Sequence, residues 1–226
     1  MAIGQARGAL RALSSAVIVT LLTAGVSLGP WFHQAARAGH CLRRPSTHIP
    51  CFHWNRKTGL SVATVYLLDH TGARWPVRNA ANTWNSAATL DTIWRWYTNG
   101  CPTTPTGAQH HCVHVEEYND PNARNPDGSV QTGLTIIQAD ANNHLIDGVV
   151  AVRLNNAFAD GTATNRNRHV TCQEQGHAVG LDHQLREWAG PPNNWGVSCM
   201  MNPTTGDGPN PNGHDYYTLQ ADMYNH

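Results

Sequence analysis

The chain has 226 residues, with 15 Lys+Arg against 15 Asp+Glu, and its 13% charged content is about half of the roughly 25% usual for soluble domains. Zero net charge excludes a basic nucleic-acid footprint and a strongly charged disordered chain, while eight Trp, six Tyr and 40% apolar residues provide for a packed interior. The length fits one ordinary domain, or two small ones at most, and excludes a short disulfide-only peptide.

Arg7 and Arg11 form a basic start, residues 12–36 carry no charge, and AVIVTLLTAGVSL has the length of a signal h-region. Ala36 and Ala38 are the small residues a signal peptidase reads, which places cleavage after Ala38. Residues 1–38 are expected to be a secretion signal and 39–226 the mature, secreted domain, not embedded in a membrane. The alternative is an uncleaved membrane anchor, against which Gly25, Gly29 and Pro30 interrupt the apolar run. Six cysteines follow: Cys41, Cys51, Cys101, Cys112, Cys172 and Cys199. An even number in an exported chain favours three disulfides, expected between nearest neighbours, although sequence alone selects no pairing. A cysteine zinc site is disfavoured because no CxxC pair occurs.

SVATVYLLD (61–69) is β-branched and aromatic and predicts a strand. His70, Thr71 and Gly72 turn the chain, and Val77, Ala81, Trp84 and Ala88 then share one face of an amphipathic helix starting near Trp75. TIWRWYT (92–98) and CVHVEEY (112–118) predict two strands, and TGLTIIQA (132–139) and GVVAVRLN (148–155) two more. A second helix follows Asn167 and ends near Gly180. Residues 191–213 are loop-rich, and Asp215 resembles the N-cap of a short terminal helix carrying Tyr216, Leu219, Met223 and Tyr224. With no internal repeat or linker, the pattern predicts a single α+β (mixed α/β) domain with a five-stranded mixed sheet.

The chemistry concentrates in CQEQGHAVGLDHQ, 172–184. Residues at i and i+4 of a helix lie one turn apart on one face, so Gln173 and His177 can grip one ion. Gly180 can end the helix with positive φ and turn His183 back toward them. Glu174 lies beside that ion, where a carboxylate can move a proton. Asp182 is a less favoured ligand, and His169 is about 12 Å along the axis from His177, too far to share its ion.

This segment resembles the metzincin zinc-protease signature HExxHxxGxxH, with Gln173 in place of the first His. SCMMNP (198–203) resembles the methionine turn of that family, with Met201 fitting the Met-x-Pro spacing and Met200 as the alternative. The GLxH spacing at 180–183 is closest to matrixin-like members. The resemblance implies a metzincin-like catalytic domain with an active-site helix, a Met-turn and a C-terminal helix. It implies one catalytic Zn2+ on Gln173, His177 and His183, with Glu174 as general base. Gly133, Leu134, Thr135, Ile136, Ile137 and Gln138 would form the edge strand that holds an extended peptide. A monomeric endopeptidase acting on peptide or protein substrates is expected. The rival reading is a non-catalytic secreted peptide-binding module, because a neutral amide is a weaker zinc donor than imidazole.

Two other clusters carry less. Asp120, Asn122, Asn125 and Asp127 could surround Ca2+, but they are also ordinary loop formers, and the loop reading is preferred. His110, His111 and His114 could hold a second metal, or belong to a solvated hairpin.

Overall fold

The computed structural model describes residues 40–42, 51–184, 196–201 and 208–224. The expected signal segment and the 202–203 end of the Met-x-Pro match lie outside them. Five strands form one mixed sheet: β1 (Ala63–Asp69), β2 (Leu90–Trp96), β3 (His111–Tyr118), β4 (Gly133–Ile136) and β5 (Ala151–Asn155), in the spatial order β2-β1-β3-β5-β4. All neighbours are parallel except β4, which runs antiparallel to β5 at the edge, with Gly133 opposite Leu154 and Ile136 opposite Ala151.

The alternation of each strand decides which face is covered. Val65 and Leu67 of β1, Val113 and Val115 of β3, and Val152 and Leu154 of β5 point the same way and are fully buried. Against that face lie helices α1 (Val77–Trp84) and α2 (Asn165–Ala178). Val77, Ala80, Ala81 and Trp84 are the buried side of α1, which ends before Ala88; Ala87 is buried and Ala88 exposed. The Trp84 indole donates to the Cys172 carbonyl at 3.0 Å and joins α1 to α2.

β1, β2, β4 and β5 are each shorter at one or both ends than the apolar run that predicted them, whereas β3 keeps its whole run. β4 stops at Ile136, so Ile137 and Gln138 lie in the following loop, where the Gln138 carbonyl accepts from Ile146 N. β2 begins two residues earlier than expected, at Leu90, and β3 one residue earlier, at His111. The terminal helix α3 (Gly213–Tyr217) is capped by Asn212 rather than Asp215. Asp215 is the third helical residue, and its carboxylate returns a bond to Asn212 N, completing a capping box. Residues Thr218–Met223 continue it as a wider π-type turn.

Three disulfides join sequence neighbours: Cys41–Cys51, Cys101–Cys112 and Cys172–Cys199. The third ties α2 to the segment carrying Met200 and Met201. Among the described residues no helix is long and apolar enough to cross a membrane.

Candidate metal centre

Beyond its exposed first turn, helix α2 is polar yet buried on all sides: every residue from His169 to Leu181 is withdrawn from solvent, including Gln173, Glu174, Gln175 and His177. Burying polar groups costs free energy unless partners meet them, so such a helix belongs where chemistry requires it. Structural partners satisfy part of it. Thr164 caps its N-terminus by accepting from Asn167 N, and Gln175 Nε2 donates to the Val77 carbonyl.

The C-terminal end explains how the third histidine returns. Gly180 N donates to His177 O and Leu181 N to Gly176 O, which is the double bond pattern of a Schellman motif. Gly180 has φ +98°, and a Cβ there would stand 2.0 Å from the Phe52 carbonyl oxygen. Only glycine meets both conditions. The last helical carbonyls are also met, Ala178 by the Trp54 indole and Val179 by the Tyr224 hydroxyl. Having turned, the chain sets the His183 ring edge-on to His177, with centroids 4.8 Å apart.

The tautomer of His177 follows from its contacts. Leu181 O can only accept, so His177 Nδ1 at 2.8 Å carries the proton and donates. In the neutral ring the lone pair then sits on Nε2, which is buried with no hydrogen-bond partner. A buried acceptor left unmet beside a second imidazole is the arrangement a metal ion satisfies, and the Nδ1 bond is the outer-shell contact that fixes a ligating histidine. Burial first, then His177, His40 and His169, push the His183 imidazole down to about 3, which keeps it in the neutral, ligating form. Gln173 is one turn from His177 on the same face. Its Nε2 donates to Met201 O at 3.0 Å, which leaves Oε1 as the amide atom with lone pairs for a cation. Two imidazoles and one amide oxygen are the donors this face could offer a divalent cation. Asp182 is exposed, and its carboxylate accepts from His183 N at 2.7 Å. His169 Nδ1 donates to Gly208 O at 3.0 Å.

Glu174 points from α2 toward the sheet edge. Its Oε2 accepts from the Thr135 hydroxyl at 2.6 Å, and Gly133 lies so close that a Cβ there would be 2.7 Å from the Glu174 side chain. Burial raises the Glu174 carboxyl above its ordinary range, against the opposing effects of His177 and the Thr135 bond. A carboxylate raised in this way is a better proton acceptor. Thr135 as the group that orients Glu174 was not legible in sequence, because nothing in a strand pattern says which helix residue it will face.

The two methionines have different parts. The Met200 thioether lies against Gly176, where a Cβ would be 2.3 Å from Sδ, while Met201 supplies the carbonyl held by Gln173. Both are buried. Ser198 shapes the turn by accepting from Met200 N and donating to Asp215. Asp215 is fully buried and also pairs with His40 Nε2 at 2.8 Å, linking the described N-terminal residues to the methionine turn and α3.

The other clusters disperse. On β3, His111 points inward, its Nδ1 pairing with Asp147 and its Nε2 meeting the Asn55 carbonyl, whereas His114 points outward. Alternation along the strand separates the pair, so His110, His111 and His114 do not converge. Asp120 and Asp127 accept from the backbone two residues on, at Asn122 and Ser129, and Asn125 donates to Ser129. The two aspartate bonds are those of Asx turns, and all of these contacts are local to the loop.

No family model matches this chain, and no curated protein matches it. Among solved structures it is similar to that of myroilysin, with 16% sequence identity over 71% of this chain and 91% of that chain and a TM-score of 0.37.

Proposed function

We propose that the chain is a secreted, zinc-dependent endopeptidase of the matrixin-like metzincin plan, with residues 39–226 as its catalytic domain. The observation that carries the reading is the buried, unmet Nε2 lone pair of His177 against the His183 ring. Gln173 Oε1, His177 and His183 would hold the ion. When bound, Zn2+ supplies Lewis-acid polarisation of a water and of the scissile carbonyl. Glu174 takes the proton of the attacking water and delivers it to the departing amine nitrogen, and Thr135 holds its carboxylate in place. The open side of β4 offers backbone groups to an extended peptide, and Gly133 brings that edge close to Glu174. His177 keeps its ligating tautomer through Leu181.

The test is Glu174→Ala: bound zinc is retained, and hydrolysis of an unstructured protein substrate falls by about 10²–10⁴. Unchanged turnover would remove Glu174 from the mechanism.

A second reading has its own support. Gln173 donates to Met201 and Glu174 accepts from Thr135, so both polar groups have partners without an ion. A cleft of that kind would bind peptides without cutting them, and chelators would leave the binding unchanged.

A further inference from the structure

On the opposite face of the sheet from α2, His70, His114 and Glu116 bring one ligand atom each to within 4.8 Å of one another. Strand topology makes this cluster. His114 and Glu116 are two apart on β3 and share its outer face. His114 lies opposite Leu68 in the parallel β1–β3 pair, and His70 N donates to Val115 O at 2.9 Å, carrying the ladder one residue past β1. His70 Nε2 and His114 Nδ1 then meet at 2.7 Å. Tyr97 stacks on the His70 ring at 4.2 Å and fixes its plane.

We propose that His70, His114 and Glu116 form a second zinc site that clamps the end of β1 to β3. Two imidazoles and a carboxylate match the donor set zinc prefers among divalent ions. With Zn–N near 2.0–2.1 Å, tetrahedral ligands stand about 3.3 Å apart, so the ring nitrogens open by about 0.6 Å as the ion replaces the proton they share. The Glu116 carboxylate, within 4.8 Å of both ring nitrogens, supplies the third ligand. Its competing contact with Arg153 is long, at 3.8 Å, and half exposed, so little opposes the movement. The site is independent of α2 and of the peptidase reading.

The experiment is equilibrium dialysis of the purified protein against Zn2+ alone, with bound metal counted per chain. His70→Ala and His114→Ala should each bind one equivalent fewer than wild type, whether or not the α2 site fills, and Glu116→Gln should shift that equivalent to higher zinc concentration. Equal binding in wild type and both histidine variants overturns the proposal. Because a variant can misfold, the unmutated protein supplies a second readout. Zinc should protect His70 and His114, but not exposed histidines elsewhere, from diethyl pyrocarbonate, as read by peptide mass spectrometry; modification unaffected by zinc overturns the proposal equally.

Discussion

Replacing Gly180 with alanine perturbs one methyl group and tests how the third histidine is placed. Two costs add. A non-glycine residue at φ +98° carries about 1–2 kcal/mol of left-handed strain, and a methyl 2.0 Å from the Phe52 carbonyl oxygen adds about 1–3 kcal/mol of overpacking. Met223 Cε, 2.6 Å away, can swing aside, but Phe52 is backbone, anchored by its N–H to Leu42 O and adjacent to the Cys41–Cys51 bridge. The expected loss is therefore about 2–5 kcal/mol, or roughly 5–15 °C in Tm for a domain of this size. Gly148→Ala is the control, since Gly148 has φ +76° with nothing within 4 Å and should lose only the strain. Urea unfolding followed by Trp fluorescence, with disulfides intact, reads both. A Gly180→Ala loss no greater than that of Gly148→Ala would refute the close approach and the turn built on it.

Three further outcomes are expected. Gln173→His should tighten zinc binding on the order of tenfold or more in competition with a chelator, because imidazole is the better donor, and unaltered affinity would argue that Gln173 is not a ligand. Burial raises the Asp147 carboxyl, but hydrogen bonds from His111 and Lys57 outweigh it and hold it below its ordinary value. A depressed carboxyl contributes stability above its unfolded pKa and loses it as pH falls through the folded one. Asp147→Asn should thus cost about 1 kcal/mol or less at pH 7, given its exposure, with the difference from wild type vanishing under acid; a constant difference would refute the linkage. Removing the Cys172–Cys199 bridge with a double alanine substitution opens a loop with a sequence separation of 27 and should destabilise by about 3.5 kcal/mol in chemical denaturation. A loss below about 1 kcal/mol would show that packing of Met200 on Gly176 suffices to hold that floor.

What the sequence disclosed depended on whether the signal was local. The five strands are legible because β-branched runs such as 61–69 and 148–155 are bounded by turn residues, and α1 because Val77, Ala81 and Trp84 repeat with the helical period. Helix α2 gives no amphipathic stripe, being buried all round beyond its first turn, and was legible only through the spacing of Gln173, His177, Gly180 and His183. The end of β4 at Ile136 was missed because it depends on where the pairing with β5 stops and the Gln138 carbonyl turns to Ile146 N, and the Asn212 cap because two side chains share one helix start. Asn212 and Asp215 are both good capping residues, and the box uses both. Partners distant in sequence were invisible: Thr135 on Glu174, His40 on Asp215, and His70 on His114 exist because of sheet order and helix docking, which the pattern of one strand does not carry.

The central claim is that Gln173, His177 and His183 hold zinc, and the most direct measurement counts it where the second site is removed. Zinc per chain should be compared between His114→Ala protein and the same protein carrying His183→Ala as well, each reconstituted with excess metal and dialysed. The account predicts one tightly held equivalent in the first and none in the second. No zinc in the first, or the same equivalent in both, would contradict it.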